Sequence, residues 1–312
     1  QLKYPIEELQ LTLLGDANNA DANLSISSSV LGQVNANMQV ADVMKEQNLQ
    51  GKVLVSKVAL DKYLNLVPQL KVLQGQVAAD IDISGTLSQP AITGTAGASG
   101  VTVEGEGVPL SLVNSELSTT LDNDRITLNG TLLTPDGGEL LLSGSGVWLG
   151  PDPSLELSIK GERFTVVPQQ SVTVAFSPNI DIRLDANKVS VQGEIEVPYA
   201  RIKIKELPKG AVKVSDDEVI VDAPVEQASM PFSYDAKINV KVTDDVYIDS
   251  FGLRSYVRGD LVVTASDQSQ PFAVGELQLV EGKYRAFGQD LLIRKGQVGF
   301  SGMLTKPYIN VR

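Results

Sequence analysis

The sequence predicts an almost entirely β protein, an antiparallel up-and-down sheet with at most one or two short helices. Three observations carry that expectation. Apolar and polar residues alternate with period two in run after run, turn residues bound those runs about every 8–14 residues, and one main stretch has helical spacing. Alternation of this kind sends successive side chains to opposite faces, so one face is apolar and the other meets water.

The elements follow in chain order. Residues 42–47 suit a short helical turn. Residues 58–67 form the main helical candidate: Leu60, Tyr63, Leu64 and Val67 share one face, Asp61 lies near its start and Pro68 stops it. Alternation then takes over in Val77-Ala78-Ala79-Asp80-Ile81-Asp82-Ile83, in Leu155-Glu156-Leu157-Ser158-Ile159-Lys160 and in Ile180-Asp181-Ile182-Arg183-Leu184-Asp185. It returns in Val189-Ser190-Val191, Ile195-Glu196-Val197, Ile202-Lys203-Ile204 and Ile238-Asn239-Val240-Lys241-Val242. Asp136-Gly137-Gly138, Gly150-Pro151-Asp152-Pro153 and Ser177-Pro178-Asn179 supply turn chemistry between the runs. The alternation breaks at 99–117 and 206–236.

One segment echoes another. Pro90-Ala91-Ile92-Thr93-Gly94 leads to Gly100 and Gly107, and Pro271-Phe272-Ala273-Val274-Gly275 leads to Gly282 and Gly288, with 17 residues from Pro to the last Gly in both. Repeated units that cannot close their own core stack into arrays.

The composition excludes much chemistry. The chain has no Cys and no His, which removes thiol nucleophiles, disulfides, Cys/His zinc sites and every triad with an imidazole base. The net charge is −12, with 26 Lys+Arg against 38 Asp+Glu, so nucleic acid is not an expected partner. Residues 1–190 hold a net −10 of it and residues 191–312 a net −2. No apolar run approaches the roughly 20 residues of a membrane-spanning helix. The chain opens at Gln1 and stops at Arg312 inside a strand-like run, so a piece of a longer protein is expected.

Motifs for catalysis, cofactors and metals are missing. There is no Gly-x-Ser-x-Gly elbow, and Gly51-Lys52-Val53 and Gly282-Lys283-Tyr284 lack the Ser or Thr of a phosphate loop. Asp122-Asn123-Asp124, Asp216-Asp217-Glu218 and Asp244-Asp245 lack the ligand spacing of a calcium loop. No enzyme, cofactor or metal site is expected. Arg201, Lys203 and Lys205 would share one strand face, which suits either a phosphate or head-group contact or, as the simpler reading, a solvated outer face.

What remains is the apolar face itself: Ile81, Ile83, Leu155, Leu157, Ile159, Ile195, Val197, Ile202, Ile204, Ile238, Val240, Leu277, Leu279, Leu291, Ile293, Val298 and Phe300. Only 5% of the residues are aromatic, too few for the girdles of a membrane barrel. A sandwich core and an open groove fit this face equally well on composition alone.

The C-terminal third carries a resemblance. Gly193-Glu194-Ile195-Glu196-Val197-Pro198-Tyr199-Ala200-Arg201-Ile202, Asp249-Ser250-Phe251-Gly252-Leu253 with Gly259-Asp260-Leu261, and Glu281-Gly282-Lys283-Tyr284-Arg285-Ala286-Phe287-Gly288-Gln289-Asp290-Leu291 resemble the conserved domain of the TamB family. Upstream, Gly85-Thr86-Leu87 with Pro90 and Gly94 resembles the looser repeats of the wider AsmA-like group. The resemblance implies two regions, AsmA-like β repeats over 1–189 and the conserved domain over 190–312. It further implies an elongated curled sheet, a β-taco-like trough with an apolar interior, in the periplasm of a Gram-negative cell. The implied function is a phospholipid conduit whose groove holds acyl chains, or alternatively a chaperone-like factor in autotransporter assembly. The implied protein partner is the outer-membrane barrel TamA. The family's inner-membrane anchor helix and its final C-terminal segment have no counterpart in these residues.

Overall fold

The computed structural model describes residues 8–28, 32–106, 108–169, 171–204, 233–286 and 289–312. They are almost all strand, in two units: 1–169 with 176–186, and 170–175 with 187–312. Helix among them is limited to a short 3-10 segment, Leu60–Leu66. The expected helix at 58–67 is thus shorter and tighter. Val58 and Ala59 continue the preceding strand, because Ala59 keeps an extended backbone and no side chain caps the helix start. Residues 43–46 form a turn closed by Lys45 and Gln47 N–H groups on the Asp42 carbonyl.

In the first unit the strands are β1 (Glu8–Gly15), β2 (Asn19–Ser28), β3 (Gly32–Ala41), β4 (Asn48–Ala59), β5 (Leu70–Gly85) and β6 (Pro90–Gly105). They continue as β7 (Leu112–Asp122), β8 (Arg125–Leu133), β9 (Glu139–Val147), β10 (Ser154–Glu162) and β11 (Phe164–Gln169). From β1 to β10 each strand pairs antiparallel with the next, and β10 also pairs with β12 (Val172–Asp185). Short connections make antiparallel neighbours the low-cost topology.

The sheet of this unit is bent along a line of bulges. Register shifts fall between Val55 and Val58, between Gln74 and Gln76, and between Ala98 and Val101 on three successive strands. Left-handed backbone at Gly75, Gly100 and Asn114 marks the same line. Each bulge adds a residue to one strand, so it breaks the alternation and bends the sheet. That is why period two fails across 99–117. Ser115, 1% exposed, pins the line: its Oγ accepts the Leu133 N–H at 3.0 Å.

The second unit holds β13 (Lys188–Ile204), β14 (Ser233–Ser250), β15 (Leu253–Ser266), β16 (Ser269–Ala286), β17 (Gln289–Leu292), β18 (Gly296–Met303) and β19 (Tyr308–Val311). β13 and β14 pair in parallel, a local departure from the antiparallel rule; the remaining pairings are antiparallel. A parallel pair needs a long connection, and 28 residues separate these two strands. That connection carries most of the second break in alternation, and residues 205–232 lie outside the described residues.

The echo has a structural basis. Gly94 and Gly275 have φ of +143° and +141°, and each faces a large aliphatic residue across the ladder, Ile81 and Leu261. A Cβ at Gly94 would strike the Asp80 carbonyl oxygen, and one at Gly275 the Asp260 carbonyl oxygen. Both motifs therefore let two strand backbones approach at the same step of a hairpin. The final glycines of the echo, Gly107 and Gly288, lie outside the described residues.

One turn of the first unit has a titratable clamp. Burial alone would raise the Asp136 carboxyl, but the Thr134 and Thr165 hydroxyls donate to its two oxygens at 2.6 and 2.5 Å and hold it below its ordinary 3.8. The stabilisation is complete above the unfolded-state value and is lost as pH falls through the lower folded one. We expect the urea midpoint read by Trp148, the single tryptophan, to drop as the pH falls below the ordinary carboxylate range, and Asp136→Asn to flatten that drop.

Candidate functional site

The registers trace one apolar row through the first unit. Starting at Leu11, the cross-strand partners run Leu24, Ala36, Val53, Ile81, Gly94, Leu121, Ile126, Gly146, Leu155 and Leu184. Each step is a directly opposed pair, so all eleven residues share a face. Ten steps of about 4.8 Å make the row roughly 48 Å long. A parallel row one pleat away contains Ile26, Val34, Val55, Ala79, Ala96, Leu128, Leu157 and Ile182. The opposite face reads Gln10, Ser25, Asn35, Leu54, Asp80, Thr95, Thr120, Thr127, Ser145, Glu156 and Arg183 through the same pairings.

Exposure separates the faces. Along β5, Val77, Ala79, Ile81 and Ile83 are half-buried while Gln76, Ala78, Asp80 and Asp82 are exposed. The same pattern holds in β3 and β12. The apolar face is thus the less exposed of the two. Yet it has no covering layer among the described residues. Among the described residues, the large buried hydrophobic side chains of this unit are Leu140 and Phe164, and no member of the long row is among them. At β1 the face is open, with Leu11 63% and Leu13 68% exposed. A separate hollow of about 800 Å³ lies on the polar face, where Ala78 and Gly97 stand opposite each other between Gln76, Asp80, Ser118 and Asn129. Its lining mixes those polar side chains with Leu54, Ala96 and Leu117.

In the second unit the corresponding row is Ile195, Val240, Leu261, Gly275 and Phe300, with Val197, Val242, Gly259, Leu277, Val298 and Ile309 beside it. Here part of the face is closed. Ala200, Val246 and Val257 are buried, and Val197, Ile202, Leu277 and Leu279 pack against them. Ile293 is buried over Gly282, and Leu279 sits on Gly296. Ile195, Ile238, Val240, Val298 and Phe300 stay half-buried, Ile204 stands opposite Ser250, and Leu291 is 50% exposed at the edge.

The structure thus brings Ile81 and Leu155 into one row, with Leu157 in the neighbouring row and Ile83 and Ile159 further along the same strands on that face. The residues picked out from sequence omit the large aliphatic members Leu11, Leu24, Val53, Leu121, Ile126 and Leu184 of the row. The signal that would have found them is the hairpin register, since short turns fix which residues oppose. Of the basic run, Arg201 is committed to the fold. Its guanidinium stacks over Tyr199 at 4.4 Å and donates to the Ala200 and Asp245 carbonyls at 2.9 and 2.7 Å, fastening the bulge between Val197 and Ala200. Lys203 is exposed, and Lys205 lies outside the described residues. Among the described residues no group of acidic side chains could hold a metal ion.

Comparison with known proteins agrees with this architecture. Residues 124–312 match the family model of the TamB C-terminal domain, and residues 1–97 match that of the TamB N-terminal domain. The chain is 28% identical over 323 residues to the translocation and assembly module subunit TamB of Haemophilus influenzae. That alignment takes in 97% of the chain and 24% of the relative, so the chain spans about a quarter of the relative's length.

Proposed function

This chain belongs to the TamB family, and from that premise we propose that its apolar face is a lipid conduit, a groove that carries phospholipid acyl chains between the two membranes of a Gram-negative envelope. The observation that carries the reading is the eleven-strand apolar row, half-buried along β3, β5 and β12 yet uncovered by any second layer among the described residues. Each methylene leaving water for such a surface gains about 0.8 kcal/mol, so eight methylenes gain about 6 kcal/mol. Aliphatic walls offer no fixed polar partner, so the chain is held without being locked in one place. Directional binding would need the opposite, a few placed donors. In this reading the protein works in the periplasm within a translocation and assembly module, its full-length form is anchored in the inner membrane, and TamA is its outer-membrane partner. No catalytic step is involved.

Photo-crosslinkers test it in cells. Probes at Leu155 and Ile195, on the apolar rows, should capture phospholipid, and probes at Glu156 and Glu194, one residue away on the polar face, should not. Equal lipid capture from both faces would sink the proposal.

A second reading is a chaperone-like factor in autotransporter assembly, which would take up an unfolded outer-membrane strand by β-augmentation. Crosslinks from the strands to protein, with none to lipid from the rows, would favour it.

A further inference from the structure

The second unit is electrostatically two-ended. Its dividing line is the row Ala200, Val246, Val257, Leu279, Gly296 and Val311, which follows the bulge from strand to strand. From that row to the end holding the β14–β15 turn, the sequence has eight basic and three acidic residues, a net +5. From residue 187 onwards, the remaining parts of these strands and their turns, excluding 205–232, have five basic and eight acidic residues, a net −3. The positive end stands out in a chain of net −12.

This end also exposes large apolar side chains. Phe251 is 58% exposed, Leu292 65%, and Tyr284 and Leu291 are exposed beside them. The ladder interleaves them with cations. Lys203, Asp249, Arg254, Lys283 and Leu292 form one cross-strand row, and the Arg285 N–H donates to the Gly252 carbonyl at 2.8 Å, joining the Phe251 turn to β16. Arg294 and Lys295 follow β17 after Ile293 and are exposed. Asp290 neutralises part of the charge, through Arg285 at 2.8 Å and Arg254 at 3.7 Å, and the net excess remains. Phe251 itself has φ +50°, a conformation unfavourable for an aromatic residue, while its side chain points out of the fold.

We propose that this end of the second unit docks onto an anionic phospholipid bilayer, with Phe251, Tyr284 and Leu292 entering the head-group zone and Lys283, Arg285, Arg294 and Lys295 facing the phosphates. Aromatic and aliphatic tips among cations are the chemistry of an interfacial contact: apolar area drives partition, and each cation adds attraction to a negative surface. An acidic protein would match the charge but not the four exposed apolar side chains at the tip. The docking surface shares Leu291 with the apolar face of the second unit but lies apart from the long row of the first unit, so it stands whether or not that row carries lipid.

Flotation of the whole chain with vesicles tests it. Vesicles of phosphatidylcholine with 30 mol% phosphatidylglycerol (about a third anionic) should carry the protein upward at low salt, and vesicles of phosphatidylcholine alone should not. Raising the salt to about 0.5 M should release it, because the Debye length shrinks to a few ångströms. The double variant K283E/K295E should lower binding on the order of a hundredfold and F251S/L292S on the order of tenfold, with unchanged circular dichroism. Water-soluble glycerophosphoglycerol at matched head-group concentration should not compete. Ile81→Asp, in the groove of the first unit, should float like the parent. Equal flotation with neutral vesicles, no flotation with either, or loss in Ile81→Asp without loss in K283E/K295E would each overturn the docking proposal. The last result would leave the groove reading standing.

Discussion

Ile81→Asp should abolish capture of a fluorescent phospholipid by the first unit while leaving its fold intact. Ile81 lies in the middle of the long row, opposite Val53 and Gly94. With the groove empty, the new carboxylate at this half-buried position stays hydrated, so the sheet tolerates it. When an acyl chain covers the site, that water must leave, and desolvating an unpaired carboxylate costs several kcal/mol. The loss equals the gain from about five methylenes, about 4 kcal/mol, which predicts a fall in affinity on the order of several hundredfold. Thr95→Asp, on the polar face of the neighbouring strand, is the matched control and should bind as the parent does. Fluorescence titration with an acyl-labelled phospholipid reads both. Undiminished binding by Ile81→Asp would rule out this row as the lipid path. Leu279 is a poorer site for such a charge, because it packs on the buried Ala200, Val246 and Val257 cluster and its loss would unfold the second unit.

The largest stability effect should come from Gly94→Val. Two costs coincide there. At φ +143° any L side chain is strained, by about 1–3 kcal/mol. The added Cβ also meets the Asp80 carbonyl oxygen and the Ile81 Cα, which are backbone atoms and cannot swing aside. Together these should lower stability by about 3 kcal/mol or more. Urea denaturation followed by Trp148 fluorescence reports it, since that tryptophan lies in the same unit. Gly275→Val should do the same to the second unit, as its φ of +141° and its clash with the Asp260 carbonyl repeat the geometry. Gly302→Ala is the contrast. Nothing lies within 4 Å of its Cβ position, and its backbone is not left-handed, so a change of under about 0.5 kcal/mol is expected. If Gly94→Val were equally mild, the strand backbones at the hairpin would have room to separate, and the echo would have no packing role.

The sequence by itself determined the fold class and the absence of imidazole and thiol chemistry. Period two puts Ile81, Ile83, Leu155 and Leu157 on one face because the strand geometry leaves no alternative. The turn residues then make antiparallel hairpins the expected connection. Long motifs such as the run from Glu281 to Leu291 also carried the family resemblance, which the matches over 1–97 and 124–312 established. Of the eleven members of the long row, the residues picked out from sequence nonetheless include only Ile81 and Leu155. Leu11, Leu24 and Val53 sit in strands whose alternation is plain, but membership in a row depends on which residues oppose across each hairpin.

Only tertiary structure decided where the face is open and where it is closed. Val197, Leu277 and Leu279 alternate just as Ile81 and Leu155 do, yet they pack into the core of the second unit, whereas the row of the first unit has no cover among the described residues. Period two records which side chains face together and says nothing about what stands opposite that face. The bulges decide this, since one extra residue in a strand bends the sheet and reassigns every position beyond it. Those extra residues, near Gly75, Gly100 and Glu281, show in the sequence only as a break in rhythm. The basic end of the second unit follows the same logic: Lys203, Arg254 and Lys283 are up to 80 residues apart in the chain, and only the ladder sets them in one row.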